Sequence, residues 1–160
     1  MKFYILISIL FGLMIFSLYL RKETNCPTPL HELSGRELKS DVRSEALTLD
    51  NVYTYLCLLD VAFPDVVTRQ CILETGWLTS FNCLERNNLF GMKGGDVTED
   101  NPNGYAIYPN WKQSCRAYLR WQRHRYSGEN DYYQFLVDIG YATSPTYIEK
   151  LKSLNVVFFK

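Results

Sequence analysis

Histidine is scarce in this chain, and that removes several chemistries at once. The two that exist, His31 and His124, are isolated in sequence. They form no Ser-His or Cys-His pairing signal and no cluster of metal-binding side chains. None of the five cysteines, Cys26, Cys57, Cys71, Cys83 and Cys115, stands in a C-x-x-C pair. The usual zinc-site and dithiol redox signatures are therefore missing. Charge of one sign is not in excess either, with 17 Lys and Arg against 17 Asp and Glu. Binding to a phosphate backbone needs clustered basic residues, so nucleic acid is not an expected partner. No metal and no cofactor are implied. Repeats and low-complexity tracts are absent, and 160 residues make one domain plus extras.

What the chain does hold is aromatic surface, including twelve Tyr. Tyr fills cores, but aromatic faces with scattered polar groups also suit an uncharged glycan. The N-terminal part carries a second feature. Phe3 to Leu20 contains no charged residue, and as a helix it would span about 27 Å against a bilayer core of roughly 30 Å. The run ends in bulky Ser17-Leu18-Tyr19-Leu20, and Glu23-Thr24-Asn25 before Cys26 is too polar for a lipoprotein cleavage site. A retained membrane anchor over 1–21 is favoured over a cleaved signal. Lys2 and the terminal amine balance Arg21-Lys22, so charge does not set its orientation. Residues 22–47 read as a tether, extended at Cys26-Pro27-Thr28-Pro29. Export would permit disulfides, and Cys83 with Cys115 is one conceivable bridge. Cys57 and Cys71 lie on apolar helical faces, where cysteine acts as a small buried hydrophobe.

The folded domain is expected over 48–155, with a short tail at 156–160. Asp50 is a candidate cap for a helix whose apolar face is Val52, Tyr55, Leu56 and Leu59. Pro64 suits the first turn of a second helix, which runs to Glu74 and stops at Gly76. Residues 78–90 look irregular. Asn103-Gly104 is a hairpin turn signal, followed by a short strand at Tyr105 to Tyr108. A third helix begins near Asn110 with Trp111, Cys115, Tyr118 and Leu119 on one face. Asn130 is a candidate cap for a fourth helix, from Asp131 to Ile139, and Ser144-Pro145 opens a fifth. The fold class is α+β, mostly helical, with one small β-hairpin.

Glu74-Thr75-Gly76-Trp77 is the stretch with most chemical content. It sets a lone carboxyl at a helix C-terminus, where the partial negative charge disfavours the ionised form. Burial beside Trp77 would act in the same direction. A carboxyl held protonated near neutral pH is what cleavage of a glycosidic bond requires, since the leaving oxygen must receive a proton.

Residues 67–93 resemble family 73 of the glycoside hydrolases, the peptidoglycan glucosaminidases. The matching segments are Gln70-Cys71-Ile72-Leu73-Glu74-Thr75-Gly76-Trp77 and Asn87-Asn88-Leu89-Phe90-Gly91-Met92-Lys93. Tyr108-Pro109-Asn110-Trp111-Lys112-Gln113-Ser114 is similar to that family's aromatic-rich lead-in to a helix. Tyr132 to Leu136, then Gly140-Tyr141-Ala142-Thr143-Ser144-Pro145-Thr146-Tyr147, resembles its closing motif. Four motifs in the family's order, across roughly 48–154, are more specific than any one of them.

The resemblance implies a lysozyme-like fold and hydrolysis of the β-1,4 bond after N-acetylglucosamine in peptidoglycan, with Glu74 as general acid. It implies a second carboxylate on the hairpin. Glu99 in Thr98-Glu99 matches best, with Asp96 and Asp100 as close rivals. The substrate's own acetamido group is the alternative nucleophile. Tyr141 matches a residue of the catalytic cleft. Trp77, Phe90 and Tyr147 are candidates for sugar contact. Asn88 is another, although it and Asn87 also suit bracing of their turn by side-chain-to-backbone bonds. Trp111 reads as helix packing. Leu78 stands where many relatives have Gly and is expected to narrow the cleft, and Ser144 stands where many have Asp. Two other readings stay open: a muramidase or lytic transglycosylase on the same fold, and a glycan-binding or assembly module without catalysis. No protein partner is indicated.

Overall fold

The computed structural model describes residues 46–128 and 131–157. The proposed anchor at 1–21 lies outside them, as does nearly all of the tether. Among the described residues no helix is long and apolar enough to cross a membrane.

Among the described residues six helices follow in order: α1 Leu49–Leu58, α2 Pro64–Thr75, α3 Phe81–Leu84, α4 Trp111–Arg125, α5 Tyr132–Asp138 and α6 Tyr147–Ser153. The fold is mostly helical, as expected. α2 is the central element, touching α1, α3 and α6, while α1 also packs on α4. Their buried stripes form one core, with Val52 and Leu56 from α1, Val67 and Cys71 from α2, Tyr118 from α4 and Leu151 from α6.

Local chemistry explains most boundaries. Thr48, not Asp50, caps α1: its hydroxyl accepts the Asn51 N–H at 3.1 Å, and Asp50 sits in the first turn, where it complements the helix dipole. Pro64 opens α2, and Gly76, with φ 54°, closes it by donating its N–H to the Ile72 carbonyl. The stretch read as irregular holds α3, capped by Ser80. Asn110 caps α4 by accepting from Gln113 N at 3.1 Å. Asp131 caps α5, accepting from Tyr133 N at 2.9 Å. α6 starts later than Ser144-Pro145 suggests, because Tyr147 N bonds back to Ser144 O and Pro145 is used in that turn.

The expected hairpin differs most. The chain does fold back antiparallel, with isolated bridges Lys93↔Tyr105 and Thr98↔Asn101 in place of a strand ladder. The tip is Glu99-Asp100, between Thr98 and Asn101, and Asn103-Gly104 lies on the returning leg. Side chains replace the missing ladder. Buried Asn101 donates to Asp96 O at 3.0 Å and Tyr105 O at 2.9 Å, and accepts Tyr105 N at 3.0 Å. The legs approach so closely that a Cβ on Gly95 would fall 2.1 Å from the Tyr105 carbonyl oxygen, so glycine is required there.

The cysteine expectations also change. Cys83 and Cys115 are both free and buried, so they form no bridge. Cys71 is a free buried thiol as expected, whereas Cys57 is disulfide-bonded.

Candidate active site

Glu74 is the penultimate residue of α2 and opens into a cavity of about 350 Å³. One wall is the turn Phe90-Gly91-Met92-Lys93. The other comes from Trp121 and Arg125 near the end of α4, and from Ile139-Gly140-Tyr141 after α5.

Two contacts fix the carboxyl. Tyr147 donates its hydroxyl to Glu74 Oε1 at 3.1 Å. Gly91 covers the other oxygen: a Cβ there would lie 3.1 Å from Glu74 Oε2. Gly91 also has φ +62°, so both its missing side chain and its backbone angle serve this close approach. Burial raises the Glu74 pKa above the ordinary glutamate value, and the Tyr147 bond partly offsets this because it favours the ionised acceptor. The Tyr147 phenol is itself pushed up, first by burial and then by the charge of Glu74, so it remains an O–H donor.

Tyr141 lines the same cavity. Its hydroxyl donates to the Phe90 carbonyl at 3.1 Å, tying the closing segment to the motif turn. Its ring meets Trp121 edge-on, with centroids 5.4 Å apart. Phe90 is buried and backs the cavity, with its ring 4.6 Å from that of Tyr118.

Behind Glu74 runs a buried polar chain. Gln70 is one turn earlier on the same face of α2. Its Oε1 accepts the Tyr118 hydroxyl at 2.6 Å. Tyr118 and Tyr132 share a bond of 2.7 Å, and Gln122 Nε2 donates to Tyr132 at 2.8 Å and to Ala62 O at 2.9 Å. With Tyr118 donating to Gln70, the Tyr118–Tyr132 bond must be donated by Tyr132. Along Gln122, Tyr132, Tyr118 and Gln70, each donor therefore points toward α2.

Other predicted site residues lie elsewhere. Trp77 is 57% exposed and does not line the cavity, so the burial of Glu74 comes from Gly91, Tyr147 and their neighbours. Leu78 packs against the core, outside the cavity, and does not narrow it. Asn88 is buried, and its amide is committed to backbone: Nδ2 donates to Met92 O at 2.8 Å and to Ala106 O at 2.9 Å, and Oδ1 accepts Met92 N at 2.9 Å. Asp96, Glu99 and Asp100 are exposed on the folded-back loop. Met92 and Lys93 at its base line the cavity, but none of those three carboxylates does. Glu74 is the sole carboxyl in the cavity wall among the described residues.

Sequence reasoning missed Trp121, Arg125 and Ile139. Tyr118, Trp121 and Arg125 fall at i, i+3 and i+7 on α4, a spacing that marks one helix face. Yet Arg125 closes a basic last turn that looks like an ordinary solvated helix end.

Comparison with known proteins adds a family. The family model described as mannosyl-glycoprotein endo-beta-N-acetylglucosaminidase matches residues 59–156. A solved structure, the catalytic domain of the autolysin Auto from Listeria monocytogenes, is 22% identical over 76% of this chain and 92% of its own, with a TM-score of 0.48. No curated protein sequence matches significantly.

Proposed function

The chain belongs to the mannosyl-glycoprotein endo-beta-N-acetylglucosaminidase family, a family of glycoside hydrolases, and we propose that it cleaves peptidoglycan at the β-1,4 bond after N-acetylglucosamine with Glu74 as general acid. One observation carries this reading: a half-buried carboxyl with a raised pKa lies in a cavity between the motif turn and the closing segment.

Glu74 in its acid form gives its proton to the glycosidic oxygen as the C–O bond breaks. Among the described residues the cavity wall supplies no second carboxylate, which favours attack on the anomeric carbon by the carbonyl oxygen of the substrate's own acetamido group. Water then opens the resulting ring, and the Glu74 carboxylate takes up its proton. Glu99 enters such a scheme only if its loop closes over bound glycan. Tyr141 and Phe90 shape the floor and wall against which the sugar rests. Trp77 stands ready for a longer chain extending beyond the cavity.

Because Glu74 must be protonated, activity falls as pH rises through its folded-state pKa. Tyr147→Phe removes the one bond that lowers this pKa. The descending limb of the kcat profile is expected to move to higher pH. An unmoved limb would show that Tyr147 does not act on the proton donor.

The enzyme would work outside the cytoplasmic membrane, held there by Phe3 to Leu20. A flexible tether of the length of 22–47 reaches roughly 25–31 Å, which confines cleavage to nearby wall. Sequencing the mature N-terminus checks this, and a start beyond Leu20 contradicts it. The cleavage itself is tested by digesting purified peptidoglycan with the full-length chain and identifying the new reducing ends by mass spectrometry. Reducing N-acetylglucosamine is expected. Reducing N-acetylmuramic acid or an anhydro end contradicts the assigned bond, and no release of fragments contradicts the activity.

A further inference from the structure

Two cationic residues line the cavity that holds Glu74, and the reaction as derived uses neither. Lys93 ends the motif turn, and Arg125 is the last residue of α4. Lys93 is held in place: its ammonium lies 3.7 Å from the centre of the Tyr105 ring and donates to Asn103 O at 2.9 Å. An ammonium has three N–H donors, so with one on Asn103 O and one turned to the ring, one remains for a ligand.

Arg125 is exposed, and no hydrogen bond or ion pair engages it among the described residues. Arg123 and Lys150 are likewise unengaged among the described residues, but neither lines the cavity, and several other basic side chains are occupied. Arg69 pairs with Asp65 at 2.9 Å, Arg86 donates to Asn82 Oδ1 and to the Asp100 carbonyl, and Lys112 and Arg116 lie over the Tyr55 ring. Compensation of the α4 dipole does not explain Arg125 alone, because Arg123 and His124 share that last turn and neither lines the cavity.

The two charges are not spent on Glu74. The causes that move its pKa are burial and Tyr147, with no contribution from either cation. This matters chemically, since a cation against the general acid would hold it ionised. Glu74 delivers its proton as an acid, so in its working form the cavity wall carries two positive charges and no negative one. A neutral glycan makes no demand for that.

We propose that Lys93 and Arg125 form a carboxylate-binding subsite, which selects glycan bearing an acidic substituent over a neutral chain of N-acetylglucosamine. The proposal rests on the peptidoglycan reading, in which the carboxylate is either the lactyl group of a bare muramyl residue or a carboxylate of its peptide. A guanidinium donates paired N–H bonds to a planar carboxylate, and an ammonium supplies a point charge.

The test uses full-length chain as wild type, Arg125→Gln and Arg123→Gln. The last removes the same charge from the same helix turn outside the cavity. Each is assayed on peptide-bearing glycan strands, on strands stripped of peptide, and on neutral chito-oligosaccharides. Arg125→Gln is expected to raise KM roughly 10- to 100-fold on an acidic substrate, with kcat little changed. Neutral oligosaccharides and Arg123→Gln should be unaffected. Added salt should narrow the gap between wild type and Arg125→Gln, as screening predicts for an exposed cation. Loss confined to stripped strands identifies the lactyl carboxylate, and loss confined to peptide-bearing strands identifies the peptide. Equal effects of Arg125→Gln on neutral and acidic substrates would overturn the subsite. So would equal effects of Arg125→Gln and Arg123→Gln. Wild type that cleaves neutral oligosaccharides but neither wall substrate would overturn the peptidoglycan reading itself.

Discussion

Glu74→Gln is expected to lower peptidoglycan hydrolysis roughly 10²–10⁴-fold, the usual worth of a positioned general acid. Gln keeps the shape of the side chain and still accepts the Tyr147 hydroxyl, so the contacts at Oε1 and against Gly91 persist. Folding should be unchanged, and glycan should still bind. Near wild-type turnover in this variant would remove Glu74 from the mechanism. Retained binding without turnover separates a catalytic role from a structural one.

Asn88→Ala is expected to destabilise the domain by roughly 3–5 kcal/mol, since each buried polar group left unpaired costs about 1–3 kcal/mol. The side chain satisfies Met92 N, Met92 O and Ala106 O, so it joins the motif turn to the returning leg of the loop. Truncation leaves Met92 N and Ala106 O without that partner, while Met92 O keeps the Ala106 N–H, and it fills none of the vacated space. Urea unfolding of the variant measures the loss directly. An unchanged midpoint with a raised KM would instead make Asn88 a sugar contact.

The parts of the fold legible in the sequence are those set by local chemistry. Pro64 and Gly76 bracket α2 through backbone geometry that needs no tertiary partner, and so the position of Glu74 at a helix end follows from sequence. Asn110 before the apolar face of α4 is a similar local signal. The loop was harder to read. Asn103-Gly104 is a strong turn dipeptide, yet the buried Asn101 amide fixes the tip four residues earlier, at Glu99-Asp100, by bonding to both legs. That is a tertiary choice overriding a local preference.

The site shows the same division. Adjacency in sequence puts Trp77 beside Glu74, but the left-handed run Gly76, Trp77, Leu78, with φ of 54°, 63° and 65°, turns the chain after the helix and leaves Trp77 exposed. Burial is supplied instead from far along the chain, by Gly91 and Tyr147. Tyr141 and Tyr147 are visible through motif resemblance, whereas Trp121 and Arg125 carry only the helical spacing that sets them on the Tyr118 face. They reach the cavity because α4 packs its Tyr118 face behind Phe90.

The protonation of Glu74 is the claim on which the mechanism depends, and it is open to direct measurement. Label the full-length chain with ¹³C at glutamate carboxyls and follow the Glu74 resonance through a pH titration, assigning it by its loss in Glu74→Gln. A midpoint above the ordinary glutamate value, moving higher still in Tyr147→Phe, is the predicted result. A midpoint at or below the ordinary value would mean that Glu74 is ionised when the glycan arrives, and the general-acid account would be wrong.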